Sequence, residues 1–225
     1  TGRATAEALA QNGDEVVIAD IDEAQGQAVA NTIGGRFVKA DLSCREDCQR
    51  LIDETLSHYS KADILVNNAG FQHIESIETF PADVWDKMLA VMLTAPFLLT
   101  QCVWPTMKAT GWGRIINMSS IHGRVASPFK SAYVTAKHGL IGFTRTVALE
   151  GGAHGITVNA ICPAFVNTPL VENQIVDQAR THQLTREQVL EQVILAPAAI
   201  KRLITPEEVA SLVVYLCSEA AGAIT

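Results

Sequence analysis

The stretch "GRIINMSSIHGRVASPFKSAYVTAKHG", Gly113 to Gly139, changes rhythm halfway along. Its first part, "GRIINMSS", is short, apolar and rich in β-branched residues, which reads as a buried strand. Its last part opens a helical pattern that continues from Ser131 to Glu150. A buried strand that runs through a polar loop into a helix is half of a parallel β–α–β unit. The same alternation extends on both sides. "EVVIAD" (15–20), "RFVKAD" (36–41), "ADILVNNAG" (62–70) and "GITVNAICPA" (155–164) read as further strands. Helical patterns fill 22–32, 43–59 and 81–107, the last with a break expected near Pro96. Strands that alternate with helices predict an α/β fold: one doubly wound, parallel sheet over residues 1–225. Right-handed crossovers then bring every strand's C-terminal end to one edge.

The rhythm changes after the fifth strand. Residues 167–200 form an insertion, helical from Thr168 to Ile194, at the edge where a lid over a substrate would lie. "TPEEVA" (205–210) opens a last helix, with Thr as cap, Pro in the first turn and Glu at the positive end. The sequence starts on a helix, "TGRATAEALAQNG", and stops at "AGAIT" where a strand is due. A first and a last strand are therefore expected outside these residues.

Composition narrows the function. The formal net charge of −7 disfavours a nucleic-acid binder, which needs a basic face. Five scattered cysteines match neither a zinc site nor a disulfide framework, so no metal is expected and the default compartment is the cytoplasm. No uninterrupted apolar run looks long enough for a membrane span.

The opening stretch also carries the chemistry. Tyr133 and Lys137 stand four apart on the helix and so share a face. Hydride removal from a secondary alcohol needs a base for the hydroxyl proton. A phenol titrates near ~10, and a neighbouring ammonium lowers that by stabilising phenolate. Ser120, at the end of its strand, can hold the substrate oxygen. For a dinucleotide, Gly2 is the only remnant of a glycine-rich turn. Asp20 ends a strand about 20 residues on, where a carboxylate accepts ribose hydroxyls and repels a 2′-phosphate. A plain helix cap is the rival reading for Asp20, and beside Asp41 the neighbouring Ser43 could cap the following helix. "NNAG" (67–70) permits unusual backbone angles at the sheet edge.

With these residues in place, the chain resembles the short-chain dehydrogenases/reductases over essentially its whole length. The resemblance rests on "NNAG", the Ser120–Tyr133–Lys137 set, Asp20, Asp41 and "CPAFVNTPL". It implies a Rossmann-type sheet, Tyr133 as base, Lys137 on the nicotinamide ribose and Ser120 on the substrate. It further implies NAD held by Gly2, Asp20, Asp41, Leu42, Asn68, Ala69, Gly70, Tyr133, Lys137, Pro163, Val166 and Thr168. The stretches "GFQHIESIETFP", "IHGRVASPFKSAYVTAKHG" and "PAFVNTPLVENQI" are similar to hydroxy-acid dehydrogenases of that family. There the matching Gln72, His122, Lys130 and Gln174 hold the carboxylate of a small hydroxy acid, and Phe165 walls the pocket. Members commonly form homotetramers through the Ser131–Glu150 helix and its neighbour.

Two departures stand out. Met92 occupies a position where the family has an asparagine that relays protons from the lysine, leaving Thr94 or a water for that task. Ala164 and Phe165 stand where the group has glycine and tryptophan. Two other readings remain open: an NADP-linked reductase of larger 3-oxoacyl or cyclic ketones, and a nucleotide-binding protein that has lost activity.

Overall fold

A computed structural model describes residues 1–225, with side chains at every position except Leu170, Asp177, Gln178, Thr181 and His182. The chain opens with α1 (Gly2–Gln11), then β1 (Val17–Asp20), α2 (Glu23–Ile33), β2 (Arg36–Lys39), α3 (Arg45–Tyr59) and β3 (Ile64–Asn67). It continues through α4 (Ala82–Leu89), α5 (Ala95–Thr110), β4 (Gly113–Met118), α6 (Ser131–Gly151) and β5 (Ile156–Ile161). It ends with α7 (Pro169–His182), α8 (Arg186–Val189) and α9 (Pro206–Cys217). All pairings within the strands are parallel, as the alternation requires.

The strands fall into two groups, β1–β2 and β3–β4–β5. A cavity of about 990 Å³ separates them, walled by Val17–Ala19 of β1 and Ile64–Val66 of β3. The predicted single sheet is thus split between β1 and β3. Alternation along β4 buries its residues on both faces. Ile115 packs with Leu51, Leu99, Val103 and Val158 on one side. Ile116 and Met118 pack with Leu9, Val209, Val213 and Leu216 of α1 and α9 on the other. Helices on both faces make this the doubly wound α/β architecture that the pattern predicts.

Helix boundaries follow local chemistry. Asp22 caps α2 by accepting from the Gln25 N–H at 3.0 Å. Thr205 and Glu208 form a reciprocal capping box on α9, and Pro206 takes its first turn. The insertion is not one helix. It turns at Gln183, whose φ is 54°, and restarts at Thr185 with a second capping box. It carries its own core of Val171, Ile175, Val189 and Ile194.

The expected break near Pro96 is displaced. A π-turn, Ala90–Thr94, joins α4 to α5, and Pro96 sits just inside α5. Pro96 has no N–H for the Met92 carbonyl, and the wider turn accommodates its ring. The result is one continuous helix, Ala82–Thr110, of 29 residues with a mean hydropathy of 1.5 over its most apolar window. Contrary to the reading of the sequence, it is long and apolar enough to cross a membrane by length and composition. Here Met88, Met92, Leu99, Val103 and Met107 turn that apolar character into the core.

Candidate active site

The C-terminal ends of β3, β4 and β5 supply the site, and buried polar links hold them in register. Asn67 of β3 donates to Asn117 of β4 at 2.8 Å, and Asn117 donates to Thr144 of α6 at 2.8 Å. Two asparagines inside apolar strands were the available signal for this tie, and pattern reasoning missed it. Beyond β4, Ser119 Oγ donates to the Lys137 carbonyl at 3.0 Å. A methyl group at Gly123 would stand 2.5 Å from Ser119 Oγ and 2.7 Å from that carbonyl oxygen. The loop therefore lies flat against α6, and only glycine fits there.

This arrangement brings Ser120, Tyr133 and Lys137 together. The Ser120 Oγ accepts from the His122 backbone N–H at 3.1 Å and is hydrogen-bonded to the Tyr133 phenol. Lys137 is 4% exposed; its Nζ donates to the Met118 carbonyl at 2.7 Å and lies 5.6 Å from the centre of the Tyr133 ring. Burial pushes Lys137 down to about 8, against a small opposing effect of Cys162. Tyr133 differs from expectation. Burial raises its pKa, and the Ser120 hydrogen bond only partly offsets that. The ammonium faces the ring and spends its hydrogen bond on the β4 carbonyl, so the desolvation of the phenolate dominates.

A second polar group lies beside the first. Lys130 is 8% exposed, its Nζ stands 3.5 Å from His122 Nε2, and among the described residues it has no carboxylate partner. Burial lowers the pKa of both groups, and the Lys130 charge lowers His122 further. The His122 and Tyr133 rings meet edge-on with centres 6.3 Å apart. Phe129, at φ 64°, turns the chain so that Lys130 points inward, and its carbonyl accepts from the Glu75 N–H at 2.9 Å. That bond ties the loop after β4 to the loop after β3. Gln174 of α7 donates to Gln72 of the β3 loop, so the insertion closes onto the same mouth. Its base is clasped by a parallel bridge between Val166 and Ile204. Phe165 packs into the insertion's own core.

The dinucleotide residues divide. Gly2, Asp20, Leu42, Asn68, Ala69 and Gly70 all line the 990 Å³ cavity. Gly2 meets Asn68 so closely that a methyl group there would stand 2.6 Å from Asn68 Nδ2. The groups that suit a nicotinamide dinucleotide stand at the rim of this cavity, a bare glycine backbone at the start of α1 and an exposed carboxylate at the end of β1, and not in the apolar interior lined by Leu51, Ile52, Leu99 and Val103. Asp20 accepts from the Asp22 N–H at 2.9 Å, but Asp22 and not Asp20 caps α2. Asp41 accepts from Ser43 N–H and Oγ, which holds its carboxyl below the usual range, and neither residue caps α3, whose N-cap is Cys44. Asp41, Tyr133, Lys137, Pro163, Val166 and Thr168 are not among the lining residues of this cavity. Gly70 does not use a left-handed backbone as "NNAG" led us to expect. It is needed for space: a methyl group there would meet the Met92 sulfur at 3.1 Å. Thr94 lines a separate pocket of about 260 Å³ with Ser43 and Asp86, so it is a poor substitute for the relay.

Comparisons with known proteins show the family. The family described as enoyl-(acyl carrier protein) reductase, a short-chain dehydrogenase/reductase family, matches residues 1–225. A D-beta-hydroxybutyrate dehydrogenase from Rhizobium meliloti (strain 1021) is 52% identical over 186 residues, 83% of this chain and 72% of that protein. A protein of the same name from Cupriavidus necator is 40% identical over 225 residues, 98% of this chain and 87% of that protein. An acetoacetyl-CoA reductase from Shinella zoogloeoides is 37% identical over 187 residues, 83% of this chain and 73% of that protein.

Proposed function

The chain belongs to the short-chain dehydrogenase/reductase family as a short-chain alcohol dehydrogenase, and from that premise we propose that it oxidises D-3-hydroxybutyrate reversibly to acetoacetate with NAD. The observation that carries this reading is Lys130. A buried ammonium without a carboxylate partner is costly, and a substrate carboxylate removes that cost. Its place next to His122, one ring away from Tyr133, spans the two ends of a four-carbon hydroxy acid. An acyl thioester has no carboxylate to offer there.

Tyr133 takes the hydroxyl proton, and Ser120 holds the oxygen as it becomes a carbonyl. Lys137 keeps positive charge close to the phenolate. Lys130 and His122 hold the carboxylate, with Gln72 and Gln174 closing over it, so that C3 stays in one orientation. Bound NAD supplies the hydride acceptor. Asp20 favours it over NADP by presenting a carboxylate where a 2′-phosphate would sit. The reading also includes a cytoplasmic setting, consistent with the cysteine usage.

Reduction of NAD with the D-acid, compared with the L-acid and with reduction of acetoacetyl-CoA by NADPH, tests the assignment. Turnover of the D-acid is expected. Lys130→Ala should raise KM for the acid by ~10- to 100-fold while leaving NAD affinity within about twofold, since only the carboxylate contact is lost. Turnover of the thioester but not of the free acid would replace this reading with the reductase one.

A further inference from the structure

The π-turn Ala90–Thr94 is the only interruption of the long α4–α5 helix, and such turns are commonly kept where a site needs them. It packs directly against α6. A methyl group at Gly139 would meet the Leu93 side chain at 3.0 Å. One residue earlier, Met92 is 1% exposed and its thioether is pressed against Gly70. The same Gly70 position lies 3.8 Å from Lys137 Nζ. Met92 and Lys137 thus both border Gly70, tightly on the thioether side and at ordinary contact distance on the ammonium side. Met88, Ala132 and Ala136 complete an apolar cluster on this side.

We propose that Met92 is a positioning residue that keeps the inner side of Lys137 dry, so that the ammonium is reached from the side of Tyr133. The proposal rests on the role given to Lys137 under the proposed function. A thioether accepts hydrogen bonds only weakly and donates none. The Met92 side chain therefore offers no path for a proton from Lys137 into the helix junction. The titratable groups that face Lys137 are Tyr133 on its own helix and Cys162 after β5. From β4 it meets the uncharged Met118 carbonyl, and from the β3 turn only Gly70. None of these is a fixed charge, so hydration of the inner side is the main variable that sets when Lys137 loses its proton. The low titration of Lys137 agrees with a dry wall.

The test uses the ligand-free protein and needs no turnover. The Nζ resonance of Lys137, assigned by its loss in Lys137→Met, is titrated by heteronuclear NMR. Met92→Gln offers an amide of similar length, and Met92→Ser leaves space for a water. Met92→Leu keeps the wall apolar. The polar variants should raise the Lys137 midpoint by ~1 unit or more, and the leucine variant should leave it near wild type. If Met92→Gln does not fold, the serine and leucine variants still decide. Polar variants that titrate with the wild type, or a leucine variant that moves as far as they do, would overturn the proposal. A failed activity screen with D-3-hydroxybutyrate would overturn the substrate assignment and leave this titration unchanged.

Discussion

At the scale of single residues, the site depends on burying three nitrogen bases next to a phenol. Lys137 has its pKa depressed from 10.5 to about 8 by burial, so its charge is present below that pH and lost above it. Tyr133 has its pKa raised by the same burial. Loss of the ammonium weakens support for the phenolate, so kcat for oxidation should stop rising and fall on the alkaline side near pH 8. A pH profile of kcat at saturating substrate checks this. A rate that climbs unbroken to about pH 10, the ordinary range of a phenol, would remove Lys137 from that role. Tyr133 and Lys137 were legible in the sequence because helical spacing alone places them on one face. The sign of the tyrosine's shift was not legible, because desolvation is set by Trp85, Met88 and Ala132, which come from elsewhere in the chain or have no titratable group.

At the scale of elements, caps and turns were read well, and breaks less so. Thr205 and Glu208 announce a capping box, and the structure contains both bonds, at 3.2 Å and 2.8 Å. Thr205→Ala should therefore cost ~1 kcal/mol. In a chain of this size that lowers Tm by roughly 2–4 °C, measured by thermal denaturation, with little effect on turnover. A loss of activity at unchanged Tm would mean that the cap also positions the insertion, whose base is the Val166–Ile204 bridge. The π-turn escaped notice because Pro96 drew attention to itself, whereas the distortion falls in the turn before it. Periodicity counts residues per turn over many positions, and one extra residue in a single turn is invisible to it. The break in the insertion at Gln183 was missed for a related reason. Thr185 and Gln188 form an ordinary capping box, but polar residues on both sides hide the boundary.

At the scale of the whole molecule, α5 and α6 present an apolar face to solvent. Phe97 is 45% exposed and meets Phe143 edge-on, while Leu149 is 87% exposed. Such a face would support assembly of copies through these helices, as the homotetramer implied by the family resemblance requires. Phe97→Asp should shift the sedimentation coefficient toward that of a smaller species. A wild type that sediments as a monomer would remove this part of the proposal. The sequence by itself determined the α/β alternation, the parallel direction of the strands, the helix caps and the shared face of Tyr133 and Lys137. These follow from side-chain period and local hydrogen-bond chemistry, which act over a few residues. Only the tertiary structure decided that Asp41 is tied to Ser43, that Gln174 closes onto Gln72, and that Met92 and Lys137 both border Gly70. Those facts depend on which surfaces meet across tens of residues, and burial there sets both the space left at Gly70 and the titration of every base in the site.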